Sequence, residues 1–253
     1  ALRPRPEMPV EFRADLHIHT CLSPCSELTM TPKRIVERAA SLGINIMAVC
    51  DHNTVEHVEV TSTIAQKKGI RVISGIEINS SEEVHILGLF GELTDAFKMQ
   101  AIVYEHLQPG ENDEDAFGMQ VLVNENEEVL GFNKRLLIGA TDLSVNRIAE
   151  LIHSFNGLAI ASHIDREGFG IIGQLGFIPE GVKFDALEIS YRTSREKAET
   201  LYGLYSHIPW ITSSDAHRLE DIGRKTTGFL MGHSTFEELR LALRGAEGRK
   251  VIF

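Results

Sequence analysis

The segment FRADLHIHT, residues 12–20, decides the fold of this chain and points to its chemistry. Its apolar and aromatic residues predict a strand over Phe12–His19, which ends on the pair His17 and His19. Because the side chains of a strand alternate between its two faces, residues two apart point the same way. The two imidazoles can therefore share one metal ion at the end of this strand.

From this segment outward, strand and helix patterns alternate along the chain. Eight more strands are predicted, at Ile44–Cys50, Ile70–Ile78, Val84–Phe90, Leu158–Ser162, Phe184–Ile189, Trp210–Ser213, Thr227–Met231 and Lys250–Phe253. Helical patterns begin at Thr31-Pro32, where Gly43 ends the first of them, and cover Val55–Lys68, Thr94–Leu107, Ser144–Phe155, Ser194–Tyr205 and Thr235–Arg244. The alternation is typical of βα units around a parallel sheet and predicts an α/β barrel.

One stretch interrupts the alternation. Residues 108–115 carry Pro109, Gly110 and four acidic residues, and Phe117–Phe132 follows as a hairpin pattern that turns at Asn124–Glu128. We interpret residues 92–142 as an insertion between barrel units of a single domain that covers residues 1–253. The insertion is either a lid or a surface elaboration, since long loops serve both purposes.

Composition and charge narrow the functional class. The chain is 43% hydrophobic and 24% charged, as in ordinary globular proteins. Its 25 basic and 36 acidic residues give a net charge of −11, which argues against long nucleic acid and membranes as partners. Three cysteines fit a reducing compartment better than a disulfide framework. Ala1–Arg13 shows no leader pattern and no run is long enough for a membrane span, so we expect a cytoplasmic protein.

Further histidines and acids fall at the ends of predicted strands. They are His52, Glu77, His85, His163, Asp215 and His217, and with His17 and His19 they make a set of eight residues. In a closed parallel barrel all such ends lie on one face, where barrel active sites are built. Six histidines and two carboxylates exceed one tetrahedral site and suit two or three divalent ions such as Zn²⁺, Mn²⁺ or Fe²⁺. A lone histidine at a strand end is more often a surface or hydrogen-bonded residue, but the joint pattern favours metal.

These residues occur in motifs of a known family, and the sequence resembles the PHP family, the polymerase and histidinol phosphatase superfamily. The matching motifs are Asp15–Thr20, Cys50–Asn53, Gly75–Glu77 with His85–Gly88, Ser162-His163 and Ser214–His217. The resemblance implies a distorted (β/α)₇ barrel that holds two or three divalent ions and hydrolyses phosphoesters. It also implies the ligand sets, which are His17, His19, Glu77 and Asp215 for one ion, Glu77, His85 and His163 for a second, and His52 and His217 for a third.

Other residues are expected to support this centre. Asp15 and Asp51 would accept hydrogen bonds from the ligand imidazoles, with direct ligation as the alternative. Many family members have an acid or histidine shortly after the first histidine pair. At that place this chain offers Cys25 or Glu27 as an extra metal ligand, unless Cys25 is a plain buried thiol.

Three arginines follow strand ends and are candidates for binding a substrate phosphate. They are Arg166, Arg192 and Arg195. A guanidinium presents a planar fork that matches phosphate oxygens. Surface positions without a role in binding are the alternative for each of them.

The expected activity follows from these assignments. We expect a hydrolase of a small phosphomonoester or nucleotide, in which a hydroxide that bridges the metal ions attacks the phosphorus. The protein would bind a small phosphorylated substrate as its partner. The sequence does not indicate the oligomeric state. Four alternatives stay open: a 3'-5' or 5'-3' exonuclease acting on short oligonucleotides, a metal-dependent C–N hydrolase, a polymerase-associated proofreading module, and a non-enzymatic metal-binding module. Many C–N hydrolases carry a carboxylated lysine, and no lysine lies at these strand ends.

Overall fold

A nine-stranded sheet forms the centre of the fold in the computed structural model, which describes residues 8–253. Residues 1–7 lie outside that range, and they are part of the segment Ala1–Arg13 for which no leader pattern was predicted. The strands are β1 (Val10–Ile18), β2 (Ile46–Val49), β3 (Arg71–Asn79), β4 (His85–Phe90), β5 (Val121–Val123), β6 (Val129–Phe132), β7 (Leu158–Ala161), β8 (Ala186–Glu188), β9 (Trp210–Ile211), β10 (Thr227–Met231) and β11 (Lys250–Ile252). Only β5 and β6 stand apart, as a separate hairpin. Each strand predicted from the sequence is confirmed.

Eight α-helices are described between these strands. They are α1 (Pro32–Ser41), α2 (Val58–Gln66), α3 (Leu93–His106), α4 (Glu114–Phe117), α5 (Val145–Ser154), α6 (Ile171–Leu175), α7 (Arg195–Tyr202) and α8 (Phe236–Leu243). The six predicted helices are confirmed, and the short α4 and α6 were not predicted. Helix α1 begins as expected, because the Thr31 hydroxyl accepts a hydrogen bond from the amide of Arg34 and Pro32 follows it.

The sheet is mixed, although a parallel sheet was expected. Its strand order is β11-β10-β1-β2-β3-β4-β7-β8-β9. Strands β1, β2 and β3 are parallel, as are β7, β8 and β9, but β4 runs antiparallel to both β3 and β7. The turn between β3 and β4 is too short for the crossover that parallel neighbours need, so β4 has to reverse. The prediction of an all-parallel sheet is wrong here and at one edge, where β10 runs antiparallel to β1 and β11 runs antiparallel to β10.

The sheet curves into a nearly closed barrel. A parallel bridge between Ile18 and Ala216 joins the segment after β9 to the end of β1. Helices α1, α2, α3 and α5 pack on the sheet through buried residues such as Ile35, Ile64, Met99 and Ile152. The predicted α/β barrel class is confirmed, in a distorted form.

Residues 92–142 contain α3, α4 and the β5–β6 hairpin. That these residues are an insertion into a single domain stays a prediction. Within residues 8–253, no helix is both long enough and apolar enough to cross a membrane.

Candidate metal centre

The strand arrangement brings all eight predicted ligands to one rim of the barrel. The strands β1, β2, β3, β7 and β9 end at this rim, and the reversed β4 begins there. His85 pairs with Asn79 in the antiparallel register, so the first residue of β4 lies beside the last residue of β3. A bridge between His52 and Glu77 holds the two neighbouring motifs together. The rim therefore gathers side chains from the whole length of the chain.

Glu77 lies at the middle of this group and is buried. Its carboxylate oxygens lie 3.3 Å from Nε2 of His17, 3.3 Å from Nε2 of His19, 3.2 Å from Nδ1 of His52, 3.1 Å from Nδ1 of His85 and 3.2 Å from Nε2 of His163. Five imidazoles thus surround one carboxylate. A carboxylate in this position can bridge two ions.

Asp215 supplies the second carboxylate. Its Oδ1 atom lies 3.5 Å from Nε2 of His17 and 3.4 Å from Nε2 of His19. The Asp215 backbone has a φ of +48°, an unusual value for a non-glycine residue that is concentrated at functional sites. His217 stacks on His19 with ring centroids 4.2 Å apart and is half-buried at the mouth of the centre.

The charges of the buried groups depend on one another. Burial opposes protonation of His19, but the Asp215 and Glu77 carboxylates outweigh it and raise the pKa of His19 to about 9. Burial likewise opposes protonation of His17, and the surrounding carboxylates raise its pKa well above the usual value. Burial, together with the charge on His19, lowers the pKa of His217 to about 4. The carboxylates therefore favour positive charge at the inner end of the centre, where they meet.

The donor atoms fit divalent cations. Among the described residues, three sets of side chains each bring their donor atoms within 4.8 Å of one another. The sets are His17, His19 and Glu77, then His52, Glu77 and His85, and then His19, His52 and His217. Nδ1 of His85 is buried without a hydrogen-bond partner although it lies 3.1 Å from a Glu77 oxygen, so both atoms are oriented for a third group. Mixed imidazole and carboxylate donors suit Zn²⁺, Mn²⁺ and Fe²⁺.

Hydrogen bonds orient the two imidazoles of β1. Nδ1 of His17 donates to Oε1 of Glu188 over 3.0 Å, and Nδ1 of His19 donates to the Ser23 hydroxyl over 2.9 Å. The Ser23 hydroxyl in turn donates to Asp51 over 2.6 Å. Each ring then presents Nε2 to the carboxylates, which is the arrangement that supports metal ligation. Glu188 was not among the residues predicted from the sequence, although an acid within the apolar run of β8 was the available signal.

Asp15 and Asp51 lie beside the centre but contact no imidazole directly. Asp15 accepts hydrogen bonds from the amides of Ser214 and Gly223, each over 3.0 Å, and burial raises its pKa to about 6. Asp51 accepts hydrogen bonds from the Thr20 amide and hydroxyl, each over 2.7 Å, as well as from Ser23. The expected contact with ligand imidazoles is thus made by Glu188, while Asp51 acts through Ser23.

The three candidate arginines have different surroundings. Arg166 reaches the centre, where its Nη1 atom lies 2.8 Å from Oδ2 of Asp215. Arg192 is exposed and donates to the Tyr191 hydroxyl. Arg195 pairs with Glu199 and donates to the backbone oxygen of Phe253, so it is held away from the ligand group. A phosphate-binding role for Arg195 is not supported, because helix α7 points that side chain at the chain end.

Cys25 and Glu27 were the two candidates for an extra metal ligand. Cys25 is exposed and belongs to none of the three donor sets, so its interpretation as a buried thiol is wrong, and a role as a ligand stays a prediction. Glu27 forms an ion pair with Arg218 over 3.2 Å. Arg224, which the sequence analysis did not consider, donates to the backbone oxygens of Ser214 and Asp215 and so fixes the segment that carries Asp215.

Comparisons with known proteins show the family and the fold of this chain. The family model described as the PHP domain matches residues 15–169, more than half of the chain, and the one described as PHP-associated matches residues 193–247. A 5'-3' exoribonuclease of Haemophilus influenzae is 37% identical over 78 residues, which are 30% of this chain and 27% of that protein. Endonuclease Q of Pyrococcus furiosus superposes with a TM-score of 0.74 at 22% identity, covering 96% of this chain and 58% of its own.

One comparison corrects an expectation. Endonuclease Q in complex with a 27-mer duplex that carries an abasic lesion also superposes with a TM-score of 0.74, at 22% identity over 95% of this chain and 58% of that one. The argument against long nucleic acid as a partner is therefore wrong, since this fold accommodates a duplex and a relative is an exoribonuclease. The physical reason is that net charge averages over the whole surface, whereas binding depends on the local field at the site. The chain spans less than two thirds of each of these proteins.

Proposed function

Because this chain belongs to the PHP family, we propose that it is a metal-dependent phosphoesterase whose substrate contains a nucleotide, either free or within a nucleic-acid strand. The observation that carries the proposal is the position of Glu77, with five imidazole nitrogens within 3.3 Å of its carboxylate at a rim that also holds Arg166. Apolar residues of similar volume would often stabilise a fold at least as well as such a buried set, which favours a functional role for it.

The proposed ligand sets follow the sequence analysis. His17, His19, Glu77 and Asp215 would hold one ion, Glu77, His85 and His163 a second, and His52 and His217 a third. Bound divalent ions would supply positive charge for the phosphoryl oxygens and lower the pKa of bound water. Zn²⁺, Mn²⁺ and Fe²⁺ all suit these donors.

The protein residues have their own tasks in such a reaction. Glu188 and Ser23 hold His17 and His19 in one orientation, so the centre does not have to reorganise when substrate arrives. Arg166 uses one nitrogen on Asp215 and is partly exposed, which leaves guanidinium N–H groups for phosphate oxygens. Arg192, exposed in the loop after β8, is a second candidate for phosphate binding.

The test is a substrate panel with the metal-loaded protein. Phosphate release from nucleoside monophosphates and sugar phosphates is measured beside cleavage of a labelled single strand and of a duplex with an abasic site. Loading with Mn²⁺, Zn²⁺ or Fe²⁺ is compared with the chelated protein. We expect metal-dependent cleavage of at least one nucleotide-containing substrate.

A cyclic amide is included in the same panel as the probe for C–N hydrolysis. Turnover of the amide without turnover of any phosphoester, at full metal occupancy, would replace the proposal by the C–N hydrolase. Full occupancy without any turnover would favour the non-enzymatic metal-binding module.

A further inference from the structure

The loop after β7 contributes three side chains to the centre at intervals of three residues. Nε2 of His163 lies 3.2 Å from Glu77, and Nη1 of Arg166 lies 2.8 Å from Asp215. Three residues further, the ring of Phe169 stacks on the imidazole of His85, with centroids 4.4 Å apart and an interplanar angle of 18°. The aromatic ring is therefore one imidazole away from Glu77, on the same loop as the arginine.

The backbone holds Phe169 in an uncommon conformation. Its φ is +62°, in the left-handed region that is strained for a bulky side chain. The Phe169 carbonyl accepts the amide hydrogen of His85 over 2.9 Å, which ties the loop to the start of β4. The neighbouring Gly170 has no space for a Cβ, because this atom would clash with the carbonyl oxygens of His163 and Arg166. The loop is thus closely packed, and its shape keeps the Phe169 ring where it is.

The Phe169 residue is only partly covered by the protein. Phe169 remains 36% exposed, whereas His85, on which it stacks, is buried. One face of the ring lies on His85, which leaves the opposite face and the edges for other contacts. A second aromatic residue at the rim, Tyr191, already has the Arg224 guanidinium 3.3 Å from its ring centroid. Phe169 is left with a flat apolar face beside groups that attract phosphate.

We propose that Phe169 is the stacking surface for a nucleobase of the substrate. The proposal rests on the phosphoesterase function and names the part of the substrate that the centre recognises besides phosphate. A base has a π-face that stacks on an aromatic ring irrespective of its sequence identity. A sugar phosphate has none. The loop then binds the two chemical parts of a nucleotide, the phosphate through Arg166 and the base through Phe169.

The experiment compares ligands that share the phosphate and differ in the base. Adenosine 5'-monophosphate is compared with ribose 5-phosphate, and a short oligothymidylate with the same strand of abasic residues. Equilibrium binding is measured by calorimetry for each ligand, and kcat/KM for each one that is hydrolysed. For Phe169→Leu we expect roughly a 10- to 100-fold loss for the ligands with bases and little change for those without.

Three controls make the result decisive. Phe169→Tyr keeps the π-face and should retain the preference for bases. Leucine still covers His85 with an apolar group, so the metal content of Phe169→Leu should equal that of the wild type. Phe177→Leu, at a ring that is 57% exposed after α6, should change nothing.

The outcomes separate the two proposals. An equal loss for both ligands of a pair, or a lower metal content in Phe169→Leu, would show that the ring only supports His85. A base preference that persists in Phe169→Leu would also overturn the inference. If no phosphoester is hydrolysed but bases still strengthen binding through Phe169, the phosphoesterase proposal fails while the stacking role stands.

Discussion

Glu188 accepts a hydrogen bond from Nδ1 of His17 over 3.0 Å, and both side chains are buried. The same carboxylate accepts the amide hydrogen of His163 over 3.1 Å, so one acid orients two of the predicted metal ligands. The pair joins β1 to β8 across 171 positions of sequence.

The first prediction concerns this pair. In Glu188→Gln the side chain keeps its shape but loses the charge that holds His17 with its proton on Nδ1. Losses of such supporting residues typically cost 10- to 100-fold in metal affinity or activity, and we expect roughly that loss in both. Metal content by mass spectrometry and hydrolysis of the best substrate of the panel measure it. Glu180→Gln, at an exposed position, is the control, and equal behaviour of the two variants would refute the orienting role.

Substitution of Glu77 should reduce metal binding and hydrolysis more than substitution of any supporting residue. Glu77→Gln removes the negative charge that five imidazoles share, so we expect the loss of at least one ion per chain and a decrease in hydrolysis well beyond ~100-fold. Metal analysis and single-turnover rates provide the measurement. The exposed Glu105→Gln serves as the matched control. Activity that survives within a few-fold would mean that the ligand assignment is wrong.

The arginines offer an internal comparison. Arg166→Ala should lower kcat/KM by roughly 10- to 100-fold, because a charge-assisted hydrogen bond contributes about 1.5–3 kcal/mol. Arg166→Lys should recover only part of the loss, since an ammonium lacks the planar fork. Arg195→Ala should behave like the wild type, because Arg195 pairs with Glu199 and the chain end. Steady-state kinetics on one substrate measures all three variants, and equal effects at both positions would contradict the assignment.

His57 connects the rim to the β5–β6 hairpin and gives a pH-dependent prediction. Its Nδ1 lies 2.7 Å from the Thr20 hydroxyl, and its Nε2 accepts the amide hydrogen of Val123 over 3.1 Å. Burial lowers the pKa of His57 below the usual 6.5, so the unfolded chain binds a proton more readily than the folded one. The stability contributed by neutral His57 is therefore complete at high pH and is lost as the pH falls below about 6.5.

The test is urea unfolding of the metal-free protein followed by circular dichroism. His57→Leu removes both hydrogen bonds and should lower the free energy of unfolding by about 1–3 kcal/mol at pH 7.5. The difference from the wild type should narrow at pH 5.5, because only the wild type has this group to protonate. His207→Gln, at an exposed histidine, should show no such difference. If the free energies of unfolding of His57→Leu and the wild type differ by the same amount at both pH values, protonation of His57 is not linked to stability.

The elements of this fold could be read from local patterns. Runs of β-branched residues predicted the nine strands of the sheet, and Thr31 with Pro32 predicted the start of α1. Such signals depend on neighbours within a few residues, so they are visible in the sequence. The direction of β4 is different, because it depends on the short turn before it and on pairing with β3 and β7.

The supporting residues of the centre were harder to foresee. Ser23 and Arg224 carry no motif that distinguishes them from other serines and arginines, and the one signal for Glu188 is an acid within the apolar run of β8. Their roles arise from contacts such as that of Glu188 with His17, whose partners are 171 positions apart in sequence. The same holds for Arg166 in its loop and Arg195 in α7, since only the path of the chain decides which one faces Asp215.

The order of residues by itself determined the strands, the helices and the kinds of donor atom that could meet, because periodicity and side-chain chemistry are local properties. The tertiary structure decided which of those donors share a carboxylate, which acid orients which imidazole, and which aromatic ring stays open at the rim. These relationships depend on distances of a few ångströms between segments far apart in the chain, and only the nearly closed barrel brings those segments together.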